Sequence, residues 1–210
     1  MKNIFLASSF ADVAELFGRT EENLAQGKTV TFIPTASIHE EITFYVEDGK
    51  KSLEKLGLLV DVLEVSTASS QEITSKLENN DFIYITGGNT FYLLQELKRT
   101  NADIEIIRQI NKGKTYIGES AGSMVLSPSI EYVKEMDDCK AAPKLDSYDA
   151  LNVIDFYPLP HYGDYPFEEV TKKIVLKYTD RLNIKPFNNA QAFHVQDENV
   201  TQYNSNETMA

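Results

Sequence analysis

Short apolar runs alternate with amphipathic segments along the first two-thirds of the chain, and this alternation constrains its fold more than any other feature. The apolar runs predict strands at residues 4–7, 29–33, 58–63, 81–86 and 115–117. The intervening segments predict helices at residues 10–26, 38–56, 69–78 and 104–112, and a helix that follows Thr90 and reaches Leu97. Alternating strands and helices pair in parallel, and mostly apolar strands indicate that both sheet faces are covered. The pattern therefore predicts an α/β fold, a three-layer sandwich with a mostly parallel sheet.

The last third of the chain changes character. Residues 155–160 are irregular or strand-like, and residues 167–181 have a helical pattern. Residues 192–195 and 199–203 predict a closing antiparallel hairpin, and the polar tail after it is expected to fray. Because no internal repeat and no long linker interrupts the chain, we expect a single domain over residues 1–210.

Two local signals support these helices. Ser69 and Glu72 have the spacing of a capping box at a helix start. The first helix carries apolar residues at near-helical spacing, namely Val13, Leu16, Phe17 and Leu24.

Charge and cysteine content limit the partners and the compartment. The net charge of −12 and the pI near 4.7 argue against a nucleic-acid partner, which would need a basic face. The one cysteine, Cys139, cannot form an intrachain disulfide and has no metal-ligand pattern around it, which favours a reducing compartment. The apolar run at residues 4–7 is too short for a signal peptide or a membrane span. We expect a cytoplasmic protein without nucleic acid, membrane, metal or cofactor, and a homodimer is left open.

The segment Gly118-Glu119-Ser120-Ala121-Gly122 places a serine between a strand and a helix start. This is the G-x-S-x-G pattern of a nucleophile elbow. The two glycines remove Cβ atoms that would collide on a tight strand-to-helix turn, and the helix N-terminus offers N–H groups to a developing oxyanion. The pattern predicts Ser120 as a nucleophile. The alternative is a glycine-rich turn in which the serine only caps a helix.

A serine nucleophile needs a base, and the chain has three histidines. His161 follows two prolines and precedes Gly163, so it lies on a fixed loop of the kind that often holds catalytic bases. His194 lies in an alternating strand, where a structural histidine is the simpler interpretation, and His39 begins the second predicted helix. We predict His161 as the base, with His194 and then His39 as alternatives.

The loop Gly87-Gly88-Asn89-Thr90 follows the fourth predicted strand. In a parallel sheet it emerges at the same edge as Ser120, since both follow strand C-termini. Two glycines let backbone N–H groups approach a ligand closely, so the loop is a candidate oxyanion donor. The alternative is a tight turn in which Asn89 or Thr90 caps the next helix.

Together these segments resemble the peptidase E (α-aspartyl dipeptidase) and cyanophycinase family of serine peptidases. The likeness rests on ITGGNTF at residues 85–91, YIGESAG at residues 116–122 and Pro160-His161-Tyr162, and it extends from the first strand to about Val195. The resemblance implies a flavodoxin-like fold similar to class I glutamine amidotransferases, with serine in place of cysteine at the elbow. It also implies Ser120 as nucleophile and His161 as base. The implied oxyanion and substrate-binding groups are those of Gly87, Gly88, Asn89 and Ala121.

The sequence leaves the identity of the third catalytic residue open. The resemblance implies an acidic residue after the elbow helix, which Asp137 or Asp138 matches. The family glutamate that orients the histidine falls on Asn189, and an amide can fix a tautomer but stabilises an imidazolium less. Asp155 and Asp164 are the further acidic candidates.

The resemblance implies hydrolysis of short peptides, as by a dipeptidase, with N-terminal aspartate as the family preference. The family's arginine-rich stretch reads Asp164-Tyr165-Pro166-Phe167-Glu168-Glu169 here, which argues against that preference. The alternative function is that of a catalytically weak or silent relative that binds a peptide or a small molecule. A fluorophosphonate probe would separate the two classes, because only a working elbow reacts.

Overall fold

The strands of the computed structural model, which describes residues 2–21 and 26–207, form one large sheet and one small sheet. In chain order they are β1 Asn3–Ala7, β2 Thr29–Ile33, β3 Leu59–Val62, β4 Phe82–Ile85, β5 Thr115–Glu119, β6 Tyr157–Leu159, β7 Ile184–Pro186, β8 Gln191–Gln196 and β9 Asn199–Asn204. The large sheet has the order β3-β2-β4-β5-β1-β8-β9. Its first five strands are parallel, and β8 and β9 add an antiparallel hairpin beside β1. The predicted mostly parallel sheet with a C-terminal hairpin is confirmed.

Helices cover both faces of this sheet. They are α1 Phe10–Thr20, α2 Phe44–Lys55, α3 Ser70–Asn79, α4 Thr90–Thr100, α5 Ala102–Asn111, α6 Ala121–Met124 and α7 Glu168–Tyr178. Phe10 and Phe17 of α1 pack with Phe5 and Tyr84 on one face, in the smaller core cluster. The larger cluster lies on the other face and includes buried residues of α3, α4, α5, α6 and α7. These two apolar interfaces make the three layers that the sequence predicted.

Several predicted helix boundaries are wrong, and two of the differences have a clear local cause. The second helix begins at Phe44 instead of residue 38, because residues Thr35–Ser37 form a 3-10 turn held by Pro34. The fourth helix continues past residue 97 to Thr100, and Asn101 ends it in the left-handed conformation at φ 59°. The last helix ends at Tyr178 instead of residue 181.

Other parts of the prediction hold or cannot be compared. Ser69 caps α3 by accepting a hydrogen bond from the N–H of Glu72 at 3.2 Å, as the capping spacing predicted. The first helix ends at Thr20 instead of residue 26, and Leu24 and the end of the tail, residues 208–210, lie outside the described residues. No helix within the described ranges is long and apolar enough to cross a membrane. The cytoplasmic location stays a prediction.

The sequence pattern missed β7, and this short strand matters for the site. It pairs in parallel with β6 in a separate two-stranded sheet. With three residues and no clear alternation, β7 carries too little signal to be recognised from sequence.

Candidate active site

Ser120 lies at a sharp turn between β5 and α6, with φ 47° and ψ −104°. A Cβ atom on Gly118 would lie 2.6 Å from the carbonyl oxygen of Gly122, and one on Gly122 would collide with the carbonyl of Ile85. Backbone packing therefore requires both glycines, as the sequence pattern predicted. A strained serine on a strand-to-helix turn is the geometry of a nucleophile elbow.

The end of β1 supports this turn. The N–H of Ser120 donates to the carbonyl oxygen of Ala7 at 2.9 Å, and the Ser123 hydroxyl lies 2.9 Å from the same oxygen. Helix α6 is only four residues long, so the helix dipole expected behind the serine is weak. Stabilisation of an oxyanion at this site has to come from individual N–H groups.

His161 is the histidine that the fold brings to Ser120. Its Nε2 lies 2.9 Å from Ser120 Oγ, within hydrogen-bond distance. His194 lies buried in β8 with its Nε2 2.7 Å from Asn3 Oδ1, and His39 is exposed on the turn before α2. The predicted proximity of Ser120 and His161 is found, and the other two histidines lie elsewhere in the described fold.

The small β6–β7 sheet brings Asn189 to His161. The loops that follow two parallel strands begin at the same edge of the sheet. His161 lies in the loop after β6, and Asn189 lies in the loop after β7. Two backbone hydrogen bonds hold the loops together: Phe187 N–H donates to the Leu159 carbonyl at 3.0 Å, and Tyr162 N–H donates to the Phe187 carbonyl at 3.1 Å. The missed strand therefore explains how residues 28 positions apart meet.

Asn189 fixes the tautomer of His161. Its Oδ1 lies 2.8 Å from His161 Nδ1 and, as an acceptor, requires a hydrogen on that nitrogen. A neutral imidazole with hydrogen on Nδ1 has a free lone pair on Nε2, which faces Ser120 Oγ. This is the tautomer that a base acting on Ser120 needs.

Ser8 is a member of the site that the sequence prediction missed. Its Oγ accepts a hydrogen bond from the backbone N–H of His161 at 2.8 Å and donates to Asn189 Oδ1 at 2.6 Å. It also lies 3.0 Å from His161 Nδ1. A usable signal existed, because Ser8 follows β1 and the C-terminal ends of parallel strands share one edge.

The environment of His161 favours the neutral ring. Burial lowers the pKa of His161 below its ordinary value, and the Asn189 hydrogen bond and the Asp164 charge offset only part of this. The ring of Phe167 stacks against it with centroids 4.9 Å apart. This environment favours an unprotonated ring, which can accept a proton.

The loop after β4 packs directly against the elbow. A Cβ atom on Gly87 would lie 3.3 Å from Ser120 Cβ, which shows how close this backbone comes. Gly88 has φ 128°, and a side chain there would collide with the Ala36 carbonyl and lie 2.7 Å from Ser37 N. Among the described residues, the N–H groups of Gly88 and Ala121 donate to no protein acceptor, so both are available to a ligand.

Asn89 has a structural role, and its predicted part in substrate binding stays a prediction. Its Oδ1 accepts from the N–H of Tyr92 at 2.9 Å and caps α4, while its Nδ2 donates to the Asp138 carbonyl at 3.0 Å. Both ends of the amide are therefore occupied. Of the two interpretations of this loop, helix capping describes Asn89. Gly87 and Gly88 are the residues whose backbone comes close to Ser120 and Ala36.

None of the acidic candidates hydrogen-bonds to the His161 ring among the described residues. Asp137 accepts hydrogen bonds from the N–H and hydroxyl of Thr90 at 2.9 and 2.5 Å, and burial raises the pKa of its carboxyl to about 6. Asp138 caps a 3-10 turn, and Asp155 is exposed. Asp164 accepts from the N–H of Asn189 at 2.7 Å, so it supports the loop behind the amide. Asn189, not Asp137, is the residue that contacts the histidine.

Ser8 and Asn189 can partly replace each other as acceptors for His161 Nδ1–H. We expect Ser8→Ala and Asn189→Ala each to lower kcat by about tenfold, because one acceptor remains to hold the tautomer. The double variant should lose more than the product of the two single losses, since neither acceptor is left. Steady-state kinetics of the four proteins checks this, and strictly multiplicative losses would contradict shared acceptance.

The comparisons with known proteins place the chain in a family. The sequence profile of peptidase family S51 matches residues 4–203. The chain belongs to this family. Within it, an uncharacterised peptidase of Listeria monocytogenes serovar 1/2a is 58% identical over 200 residues, which cover 95% of this chain and 97% of the relative. A peptidase E of Shewanella amazonensis is 34% identical over 134 residues, or 64% of this chain and 54% of the relative.

A solved structure extends the similarity to three dimensions. The crystal structure of a Listeria monocytogenes EGD-e protein, provisionally described as peptidase E, superposes with a TM-score of 0.94 at 57% identity. The match covers 97% of this chain and 98% of that chain. The resemblance to peptidase E is confirmed, and membership of family S51 makes this protein a serine peptidase.

Proposed function

We propose that this S51 protein hydrolyses short peptides, with Ser120 as the nucleophile and His161 as the general base. The observation that carries the proposal is the 2.9 Å contact between Ser120 Oγ and His161 Nε2, on a ring whose Nδ1 is held by Asn189. A base that is within hydrogen-bond distance of both the nucleophile and an orienting group is the arrangement that acyl transfer requires.

In the proposed reaction, Ser120 Oγ attacks the peptide carbonyl carbon while its proton passes to His161 Nε2. The carbonyl oxygen becomes an oxyanion, and the N–H groups of Gly88 and Ala121 donate to it. The imidazolium then protonates the leaving amine, the C–N bond breaks and an acyl-enzyme remains. Water, deprotonated by the same nitrogen, hydrolyses the ester and restores the serine.

The charge around the site argues for substrates without an acidic N-terminal side chain. Asp164 lies one hydrogen bond behind Asn189, and Asp137 lies at the start of α4 beside the loop of Gly88. The segment from Asp164 to Glu169 holds no arginine to pair with a substrate carboxylate. We therefore propose that the protein prefers peptides with an uncharged or basic N-terminal residue over peptides with an N-terminal aspartate.

A fluorophosphonate probe and a dipeptide panel test this function together. We expect the probe to label the wild-type protein at Ser120, because it reacts with a serine that a base has activated. Dipeptides that differ only in an N-terminal alanine, leucine, lysine or aspartate are then assayed with the same protein. We expect alanine and leucine dipeptides to be hydrolysed faster than the aspartate dipeptide.

Two outcomes would contradict the proposal in different ways. Absence of labelling and of hydrolysis would favour the silent, peptide-binding relative, for which the replacement of a glutamate by Asn189 is the supporting feature. Labelling with fastest hydrolysis of the aspartate dipeptide would retain the serine mechanism and reject the proposed substrate class.

A further inference from the structure

Glu119 is a buried carboxyl group directly beside the nucleophile, at the variable position of the elbow pattern. It is 3% exposed and lies at the end of β5, on the face covered by α1 and α2. A charged group is costly to bury unless hydrogen bonds satisfy it. The hydrogen-bond partners of Glu119 therefore determine whether its charge can be held next to Ser120.

Three donors and no cation surround this carboxyl within the described residues. The N–H of Phe10 donates to Oε1 at 2.9 Å, the Tyr84 hydroxyl donates to Oε2 at 2.8 Å, and the N–H of Gly87 lies 3.5 Å from Oε2. An ionised carboxylate accepts from all three donors at once. A protonated carboxyl accepts from them less well, since the oxygen that carries the hydrogen is a weaker acceptor and its O–H needs an acceptor of its own.

The third donor connects Glu119 to the candidate oxyanion hole. Gly87 precedes Gly88, whose N–H is available to a substrate oxygen, and Gly87 itself packs against Ser120. We call residues 87–89 the oxyanion loop. Gly87 and Gly88 share a planar peptide group, so a shift of the Gly87 backbone also moves the N–H of Gly88.

We propose that Glu119 is a positioning residue that holds the oxyanion loop in its catalytic position through an ionised carboxylate. The inference rests on the proposed serine peptidase function. When Glu119 takes up a proton on Oε2, the Tyr84 hydroxyl can turn to accept it, and the Gly87 N–H loses its acceptor. The loop then relaxes and supports the oxyanion less well.

The carboxyl is set to change its charge near neutral pH. Burial raises the pKa of Glu119 to about 7, opposed by the hydrogen bonds from Phe10, Tyr84 and Gly87, while the charge of Asp12 on α1 raises it further. Tyr45 on α2 and Tyr84 on β4 are also coupled to it, and both stay neutral because burial raises their pKa values. Activity should therefore fall as the pH drops through about 7, above the range in which His161 takes up its proton.

The test measures kcat and KM from about pH 5 to about pH 9 for the wild-type protein and three variants. Glu119→Gln presents an amide N–H in place of one acceptor, so it imitates the protonated carboxyl at every pH. We expect its kcat to be about tenfold lower at high pH with KM little changed, and the inflection near neutrality to disappear. Tyr84→Phe removes a donor to the carboxylate, so the same inflection should move to higher pH.

Glu21→Gln is the matched control. Glu21 is also a buried carboxyl, but it accepts from Asn3 and Thr115, at the opposite end of β5 from Ser120. The dependence of kcat on pH in the Glu21→Gln variant should equal that of the wild type. The rate of fluorophosphonate labelling across the same pH range gives a second readout that needs no peptide substrate.

The outcomes separate the two proposals. A wild-type protein that labels at Ser120, with a Glu119→Gln profile that keeps the inflection, would overturn the role of Glu119 and retain the peptidase. A wild-type protein that neither labels nor hydrolyses would overturn both. If Glu119→Gln does not fold, the direction of the Tyr84→Phe shift decides, and an unmoved inflection there would reject the inference.

Discussion

Ser120→Ala is expected to lower the turnover of dipeptides by on the order of a million-fold, because removal of the nucleophile closes the acyl-transfer route. The variant should still fold. The Ser120 side chain is partly exposed, and the backbone turn is held by Gly118, Gly122 and the Ala7 carbonyl, none of which is altered. Steady-state kinetics gives the loss, and a thermal melt compares the folds.

Ser9→Ala is the matched control for this change. Ser9 follows β1 at the same edge of the sheet and precedes α1, and its side chain makes no capping hydrogen bond. It should retain wild-type turnover. If Ser120→Ala kept more than about a tenth of the wild-type rate, a nucleophilic role for Ser120 would be rejected, since that loss is far too small.

The elbow could be predicted from sequence because its causes are local. The turn around Ser120, at φ 47°, requires a glycine two residues before and two residues after the serine, so its signal lies within five consecutive residues. The parallel sheet was equally readable, since each of its strands is an apolar run followed by a helix. His161 was recognisable because two prolines and a glycine fix its loop.

The rest of the site depends on contacts between distant segments. Ser8 and Asn189 meet His161 only because β1 and β5 are neighbours and because β7 pairs with β6. Ser8 carries no signal beyond its place after β1, and Asn189 was found only through the family resemblance. The partners of Glu119 also come from separate parts of the chain, namely Phe10, Tyr84 and Gly87. Because Glu119 occupies a variable position of the elbow pattern, nothing in the sequence is a reason to assign it a role.

The acidic loop shows how resemblance alone can mislead. Asp137 matched the family's acidic residue by position, yet it accepts hydrogen bonds from Thr90, the first residue of α4. A residue can orient a histidine only if its acceptor atom lies within hydrogen-bond distance of the ring nitrogen. Asn189 meets this condition, with its Oδ1 2.8 Å from His161 Nδ1. An amide in this place should support the imidazolium less well than a carboxylate, which makes efficient turnover depend more on the oxyanion donors.

Gly88→Val tests that dependence and should lower kcat by about a hundredfold to a thousandfold, the loss expected when an oxyanion donor is misplaced. At φ 128° a side chain is strained, and it would also collide with the Ala36 carbonyl, so the backbone N–H of residue 88 must move. Gly27→Val is the control: Gly27 also has a positive φ, 86°, but a Cβ there meets nothing within 4 Å. It should melt at a lower temperature and keep its kcat. If Gly88→Val raised only KM, or if both variants lost kcat equally, Gly88 would not be the oxyanion donor, because that contact forms in the transition state and not on substrate binding.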